Sequence, residues 1–435
     1  FFVMSLAIMG LGQHPVVRRG VEFLLASVRS DASWPIDTNL ATWNTTLAMN
    51  ALADKSSLGA ADRLADSSRE TVAVGAPWQD TAHDSQSSVA SLTGHPHVSE
   101  ADALDENCLD WLLDCQHNEP HPYTGAQPGG WAWTDLSGGV PETDDTAGAL
   151  IALARSRHRY PHLKQHRLEL AARRGVEWLL DLQNSDGGWP TFCRGWSLLA
   201  FDRSASDLAA HAVRALATWQ TAWHSDARSA NPPAELEERI TTAIDRGMRY
   251  LENEQHNDGS FVPLWFGNQY HPEGHNLVYG TAQVLIACTE LGRQDGDMAQ
   301  RAARWLLGVQ HANGGWGPPR SSPATSLSNI YRSGTSRAED ALASFCSVEE
   351  TALAIEALLP LSESNQLHAR AVKNGLKWLV DAVEQGRLRQ PSPIGFYFAK
   401  LWYHERLYPL VFAASALRQA VRQVAPQQAA VLPVA

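Results

Sequence analysis

Apolar residues recur along this chain at helical spacing, and the recurrence takes the form of two alternating segments. The first segment has a basic residue, an aromatic–Leu pair, a Gln and then a Gly-rich turn that ends in Trp or Phe. Self-similarity of this kind is typical of repeat architectures. The clear copies are Arg174–Trp189, Arg246–Phe261 and Arg301–Gly317, and the weaker ones are Arg19–Trp34, Cys108–Trp131 and Asn374–Val383.

The second segment is a helix rich in small residues, which let neighbouring helices approach closely. Charged helices with one aromatic anchor suit an outer layer, and small-residue helices suit an inner one. Period-two runs of β-branched residues, which would indicate strands, are essentially absent. The pattern predicts an all-α fold, a double-layered α/α barrel (an α6–α6 toroid) whose helix-turn-helix units bury their apolar faces by stacking. The copies are Thr45–Leu52, Thr146–Leu153, Ala209–Leu216, Thr281–Cys288 and Thr351–Leu358.

The Gln-to-Trp turn has a structural explanation. Gly permits left-handed turn angles, Gln can satisfy backbone groups at helix ends, and Trp can pack under the next unit. We interpret these residues as stabilising rather than catalytic. The polar stretches 54–100, 225–233 and 318–347 are predicted to be surface loops between units.

Composition narrows the classes of function. The 435 residues are 44% hydrophobic and 19% charged, which is a globular composition. The net charge is -12 and no Lys/Arg run stands out, so nucleic acid is not an expected partner. The five cysteines are scattered and odd in number, which argues against a disulfide framework. No apolar run approaches the roughly 18–20 residues that span a bilayer.

An unusual acidic cluster precedes one of the small-residue helices. The segment Pro141–Ala147 reads PETDDTA and holds the carboxylates Glu142, Asp144 and Asp145. An Asp at a helix start can simply cap free N–H groups and complement the helix dipole. The cluster therefore has a structural explanation as well as a chemical one.

The repeat register gives Asp144 partners. Aligning Thr146 with Ala209 places Asp144 on Asp207, and His211 lies one helical turn after Asp207. Because consecutive inner helices are neighbours in such a barrel, we expect Asp144, Asp207 and His211 to meet at one end of the cavity. A His beside a carboxylate tends to stay protonated, and as a cation it can orient a neighbouring carboxyl.

Such a cluster could protonate an alkene. Crowded carboxylates cannot all ionise, and a carboxyl held protonated in a dry cavity is a general acid. Aromatic faces would stabilise the resulting carbocation by about 0.5–2 kcal/mol each, although ordinary packing also accounts for each ring. The candidate rings at inner-helix starts or in loops are Trp43, Trp133, Phe192, Trp265, Tyr279 and Phe396.

The segment Pro128–Leu153 resembles the acid-motif segment of squalene–hopene cyclases and of the related oxidosqualene and class II diterpene cyclases. The Gln-to-Trp turns resemble that family's repeats, and the likeness extends from Phe1 to Val424. The resemblance implies a class II terpene cyclase that needs no metal or other cofactor. In that family the middle Asp of an Asp-x-Asp-Asp-Thr-Ala motif supplies the proton.

Carried over by position, the resemblance implies that Asp144 is the catalytic acid, with Glu142 and Asp145 as its flanking carboxylates. It also implies that His211 polarises this acid and that Asp207 supports His211. The rings that it places at cavity positions are Trp43, Trp133, Phe192, Trp265, Tyr279, and either Phe396 or Tyr397.

This sequence departs from the family pattern in three places. Glu142 replaces the first Asp of the motif, and Ser392–Pro409 lacks the usual Gly-Asp before its aromatic residues. Family members also carry a second α-barrel domain, of which only the last helices are matched. We therefore predict the end of a second, truncated α-barrel domain at 1–36, a catalytic α/α barrel at 37–424 and a flexible tail at 425–435.

The expected reaction is polycyclisation of squalene or a similar linear polyprenoid to a polycyclic triterpene such as hopene or hopanol. Cyclisation of a prenyl diphosphate or a meroterpenoid stays open, because the acid motif is shared. A protein prenyltransferase β-subunit has a similar barrel, but zinc-ligand spacing is not evident. A non-enzymatic toroid of the kind found in complement thioester domains also stays open, although the Gly-Cys-Gly-Glu-Gln motif is absent from the sequence.

The resemblance further implies where such a protein works. A squalene-like substrate dissolves in membrane, so we expect a monotopic protein at the cytoplasmic face of the membrane. The sequence does not identify the patch that would contact the lipid, and it leaves a homodimer open.

Overall fold

The chain divides into two compact units, Phe1–Leu40 and Ala41–Ala435. The first contains α1 (Phe2–Ile8) and α2 (Pro15–Ala26). The computed structural model of the protein describes residues 2–26, 28, 39–53, 106–122, 124–159, 164–191, 200–225, 232–318, 346–391, 394–396 and 401–429.

The helices of the second unit form two concentric layers. In the described part of this unit, the odd-numbered helices form an inner ring in which each contacts the next and α13 contacts α3. The even-numbered helices pack outside this ring. The helices are α3 (Ala41–Leu52), α4 (Glu106–Asp114), α5 (Thr143–Ser156), α6 (Gln165–Leu182), α7 (Ser206–Ser225), α8 (Ala234–Glu254), α9 (Leu277–Glu290), α10 (Asp297–Val309), α11 (Val348–Leu358), α12 (Gln366–Glu384) and α13 (Tyr408–Ala429).

Burial separates the two layers as the sequence pattern predicts. Every residue of α5 and of α11 is buried, including their charged side chains. The outer helices α8 and α10 instead bury one apolar stripe and expose a charged face, as amphipathic surface helices do. The predicted all-α, double-layered α/α barrel is confirmed.

The Gln-to-Trp turns join successive outer helices. The side-chain amide of Gln183 donates to the carbonyl of Gly187 at 2.8 Å and to a carbonyl of α8 at 2.9 Å. Gly187 has φ 97°, and a Cβ there would lie 2.5 Å from the carbonyl oxygen of Arg246. The buried indole of Trp189 donates to the carbonyl of Leu179 at 2.8 Å. Equivalent amide bonds to the next outer helix are made by Gln116, Gln255 and Gln310.

A short antiparallel pair of strands departs from the expected absence of strands. β1 (Ile394–Phe396) and β2 (Leu401–Tyr403) pair with Phe396 opposite Leu401. Strands of three residues are too short to leave a period-two pattern in the sequence, which explains why they were not expected.

Several predicted segments meet a helix or lie outside the described residues. The tail predicted from residue 425 begins inside α13, which runs to Ala429, and residues 430–435 lie outside the described residues. The loop predicted at 54–100 and nearly all of the one predicted at 318–347 also lie outside the described residues. The assignment of 1–36 to a second barrel domain stays a prediction. In the described ranges, none of the helices has the length and apolar character needed to cross a bilayer.

The turn geometry predicts a large effect of one methyl group. We expect Gly187→Ala to lower the free energy of unfolding by about 3 kcal/mol or more, since it combines a left-handed φ with a clash against a carbonyl of α8. Gly386→Ala is the control, because Gly386 has φ 71° but nothing within 4 Å of its added Cβ. It should lose only about 1–2 kcal/mol. Urea unfolding of both variants measures the difference, and equal losses would contradict the turn's role.

Candidate active site

The acidic cluster opens a helix that is entirely buried. Glu142 is in an extended conformation, and its N–H donates to the carbonyl of Trp131 at 2.9 Å. Thr143 then starts α5, with its N–H donating to Thr191 O at 2.7 Å and its hydroxyl to Pro190 O at 2.6 Å. These three bonds fix where α5 begins. Asp144 and Asp145 are consequently held in the first turn of a helix that has no solvent face.

Asp144 and His211 meet across the interface of α5 and α7. His211 Nδ1 lies 2.8 Å from Asp144 Oδ1, and the two side chains are only 13% and 10% exposed. Gly148, one turn along α5, lets α3 pack closely beside the dyad. A Cβ at Gly148 would lie 3.5 Å from His211 Cε1 and 3.0 Å from the Thr46 hydroxyl on α3.

Glu142 and Asp145 form a carboxyl pair beside Asp144. Burial raises the pKa of each well above its ordinary value, and the charges of neighbouring carboxylates add to the rise. Two buried carboxyls that interact this strongly cannot both ionise without a large free-energy cost. We therefore expect this pair to retain a proton at neutral pH, as the crowding of carboxylates predicts.

Asp207 lies one turn before His211 on α7 and is 2% exposed. Its two carboxylate oxygens accept the main-chain N–H of Leu264, at 3.1 and 3.2 Å. Burial raises the pKa of Asp207 to about 7, the charge of Asp144 adds to the rise, and main-chain N–H groups such as that of Leu264 oppose it. Asp207 therefore anchors the loop after α8, a contact that the sequence pattern does not predict.

A group of buried aromatic side chains surrounds the dyad. Trp43 lies edge-on to His211, with ring centroids 6.4 Å apart, and stacks on Phe266 at 5.9 Å. Phe266 in turn stacks on Tyr279 at 4.3 Å. The Trp43 indole donates to the Tyr408 hydroxyl at 2.9 Å. Phe266 and Tyr408 were not among the candidate rings, although Tyr408 begins an inner helix and Phe266 directly follows Trp265.

Of the remaining candidate rings, Trp265 and Trp133 contact segments that border the starts of α5 and α3. The Trp265 indole donates to the Thr191 hydroxyl at 2.9 Å and stacks on Phe201 at 5.6 Å. Trp133 is half-buried, and its carbonyl accepts the first N–H groups of α3. Phe396 belongs to β1, while Phe192 and Tyr397 lie outside the described residues.

The lumen of the ring lies behind the dyad. Its cavity has a volume of about 70 Å³, which is room for a few water molecules. The mouth of the ring is the end at which the inner helices begin. Residues that line this cavity recur at two positions of the small-residue segments. At the third position they are Leu47, His211, Gln283 and Leu353. At the sixth position they are Asn50, Ile151, Arg214, Ile286 and Glu356.

An ion network lies deeper along the inner helices. Glu290 on α9 accepts from Arg155 on α5 at 3.0 Å and from Arg214 on α7 at 2.8 and 3.1 Å. Both arginines are buried, so the shared carboxylate compensates charges that would otherwise be costly inside the ring. As for metals, no three His, Cys, Asp or Glu side chains within the described ranges converge as ligands would.

The comparisons with known proteins agree with this geometry. A family model described as the squalene-hopene cyclase C-terminal domain matches residues 75–422. A squalene–hopene cyclase of Bradyrhizobium diazoefficiens is 30% identical over 220 residues, which are 48% of this chain and 30% of that protein. Drimenyl diphosphate synthase of Streptomyces showdoensis is 30% identical over 193 residues, 44% of this chain and 30% of that protein.

A solved structure shares the fold. The ent-copalyl diphosphate synthase from Streptomyces platensis superposes with a TM-score of 0.50 at 19% identity, over 91% of this chain and 53% of that one. The family match covers most of the chain, so the chain belongs to the squalene–hopene cyclase family of class II terpene cyclases, through its C-terminal domain. It spans from 25% to 44% of the length of the first curated relatives that it matches.

The raised pKa of Asp207 predicts a pH dependence of stability. The folded carboxyl holds its proton up to about pH 7, whereas the unfolded one loses it near about pH 4. The unfolded state therefore binds fewer protons in this range, and the free energy of unfolding should fall as pH rises from about 4 to 7. Asp207→Asn, which stays neutral and can still accept the Leu264 N–H, should make this decline shallower.

Urea unfolding across that pH range tests the expectation. Asp381→Asn serves as the control, because Asp381 sits in an exposed pair with Lys377 on α12. The slopes of this control and the unsubstituted protein should agree. An Asp207→Asn slope identical to both would show that the carboxyl has no raised pKa in the folded state.

Proposed function

We propose that this protein catalyses proton-initiated polycyclisation of squalene or a similar linear polyprenoid to a polycyclic triterpene such as hopene or hopanol. The observation that carries the proposal is the 2.8 Å contact of His211 Nδ1 with Asp144 Oδ1, in a buried site beside stacked aromatic rings. The family to which the chain belongs supports the same chemistry.

In the proposed reaction Asp144 is the acid. His211, as an imidazolium, donates its Nδ1–H to Asp144 Oδ1, which leaves Oδ2 to carry the proton that is transferred. That proton forms a C–H bond with one carbon of the terminal alkene, and the other carbon becomes a cation. The electron pair of the broken O–H bond stays on Asp144 as a carboxylate, which the adjacent imidazolium stabilises.

Ring closure then requires only the substrate's own double bonds. Each successive alkene donates its π pair to the cation, forms a C–C bond and moves the positive charge to the next carbon. The stacked rings of Trp43, Phe266 and Tyr279 place electron-rich aromatic groups near the dyad, where they would stabilise a cation. Loss of a proton or capture of water ends the cascade.

A second candidate is cyclisation of a prenyl diphosphate. The observation that favours it is the 30% identity to drimenyl diphosphate synthase over 193 residues. The same acid would act on the terminal alkene, and the diphosphate would remain in the product. For the squalene candidate, we further propose a monotopic enzyme at the cytoplasmic face of the membrane, because that substrate resides in lipid.

Asp144→Asn tests the proposed acid. The substitution keeps shape but removes the acidic proton, so product formation should fall by at least about 10²–10⁴-fold. Products from squalene, farnesyl diphosphate and geranylgeranyl diphosphate are identified by mass spectrometry. The surface variant Asp381→Asn is the control and should keep full activity. Cyclisation of squalene supports the first candidate, cyclisation of a diphosphate alone supports the second, and an active Asp144→Asn protein removes the acid from the mechanism.

Phe266 is expected to affect product identity. Phe266→Leu keeps an apolar side chain but loses the π face, so the share of early-terminated products should rise by roughly two- to thirtyfold. Phe266→Tyr keeps the face and is the matched control. Gas chromatography of the hydrocarbon products measures the ratio, and equal ratios in both variants would mean that the ring acts only by packing.

A further inference from the structure

A single loop carries Phe266 to the mouth of the ring. Residues 255–276 connect α8 to α9, and we refer to the second part of this connection, residues 261–276, as the roof segment. Before Phe266 it is held by α7, since Ser206 donates its hydroxyl to Val262 O at 2.8 Å and Asp207 accepts the Leu264 N–H. These bonds fix only one end of the segment.

Beyond Phe266 the roof segment is held from the other side of the ring. The Gly267 N–H donates to Gly395 O in β1 at 2.8 Å. The side-chain amide of Asn268 donates to both carboxylate oxygens of Glu350, at 3.1 Å each. Asn268 Oδ1 meanwhile accepts the Tyr270 N–H at 3.0 Å, so its amide orientation is fixed by two partners.

Glu350 lies in the first turn of α11 and also bonds to the roof segment. Ser347 is the N-cap of α11, since its hydroxyl accepts the Glu350 N–H at 3.0 Å. That hydroxyl donates to Glu350 Oε2 at 2.7 Å, and the carboxylate then reaches Asn268, 82 positions away in the sequence. Glu350 is 3% exposed, and burial raises its pKa to about 7, while the hydrogen bonds of Ser347 and Asn268 lower it.

Burial of a carboxylate costs free energy, and Ser347 already caps the start of α11, so Glu350 is not needed as a cap. In the register of the repeats, Glu350 occupies on α11 the position that Asp145 occupies on α5. Asp145 contributes to the acid cluster, whereas Glu350 bonds to the roof segment. The carboxyl at this position of α11 therefore holds the segment that carries Phe266.

We propose that Glu350 is a positioning residue, which fixes Phe266 against Tyr279 and Trp43 through its bond to the Asn268 amide. The inference rests on the proposed cyclase function for its catalytic consequence. Asp207 on α7 and Glu350 on α11 hold the roof segment on either side of Phe266, together with the bond from the Gly267 N–H to Gly395 O. Release of the Glu350 contact should loosen the stack of Phe266 on Trp43 and Tyr279 while the dyad stays intact.

An exchange of donor and acceptor tests this inference. Asn268→Asp is nearly isosteric and keeps the acceptor for the Tyr270 N–H, but it sets a carboxylate against Glu350. Glu350→Gln alone keeps an acceptor oxygen and should have a mild effect. Combined with Asn268→Asp it recreates a donor–acceptor pair in the reverse direction. We expect the Asn268→Asp variant to yield about tenfold more early-terminated product, and the double variant to return to within about threefold of the unsubstituted protein.

Hydrogen exchange gives a readout that does not depend on turnover. The Leu264 and Gly267 amides should exchange about tenfold faster in Asn268→Asp than in the unsubstituted protein, and at the original rate in the double variant. Glu273→Gln, an exposed carboxyl in the same segment, is the control and should leave both readouts unchanged. If the double variant is as impaired as Asn268→Asp, or if Asn268→Asp changes neither readout, the positioning role is wrong.

The two readouts also separate this inference from the proposed function. If no polyprenoid is cyclised by the unsubstituted protein, the cyclase proposal fails, and the exchange rates alone decide whether Glu350 holds the roof segment. If cyclisation proceeds and the exchange rates recover in the double variant without recovery of the products, then the contact exists but does not position the ring for catalysis.

Discussion

The hydrogen bond between His211 and Asp144 is the interaction on which the proposed chemistry depends, and the closed ring makes it possible. The two residues lie on neighbouring inner helices, and Gly148 lets α3 pack closely on α5 beside them. A carboxyl that is to give its proton to an alkene and not to water has to be kept from solvent. The complete burial of α5 provides that condition.

Within the repeated unit, one set of residues stabilises the fold and another set provides the chemistry. The bonds of the Gln-to-Trp turns recur with nearly the same lengths, for example Gln183 to α8 at 2.9 Å and Gln310 to α12 at 2.9 Å. The residue two places before each small-residue segment varies between the copies, and two of the five copies have Asp there. These residues are Trp43, Asp144, Asp207, Tyr279 and Glu349. A uniform scaffold thus presents an acid, an anchor and aromatic rings at equivalent positions around one mouth.

Buried carboxyls serve different ends according to their partners. Asp144 faces an imidazole, Asp207 faces a main-chain N–H, and Glu350 faces a side-chain amide. An imidazole can exchange a proton with a carboxyl, whereas an amide N–H can only donate a hydrogen bond. The chemical role therefore follows from the neighbour and not from the residue type.

The sequence by itself determined the barrel and the acid–His dyad. Helical spacing and small residues specify which helices lie inside, and the repeat register places Asp144 opposite His211 because adjacent inner helices start at equivalent positions. These features depend on local periodicity, which survives in a linear sequence. The predicted absence of strands was nearly right for the same reason.

Only the tertiary structure decided which side chains lie at the mouth of the ring. Phe266, Tyr408 and Asn268 reach the site through contacts between residues far apart in the chain, and the loop that carries two of them has no periodic signal. Asp207 was expected beside His211, but its carboxylate is bonded to Leu264 of that loop. Loop conformation is set by buried hydrogen bonds to whichever helices surround it, and those neighbours exist only once the ring has closed.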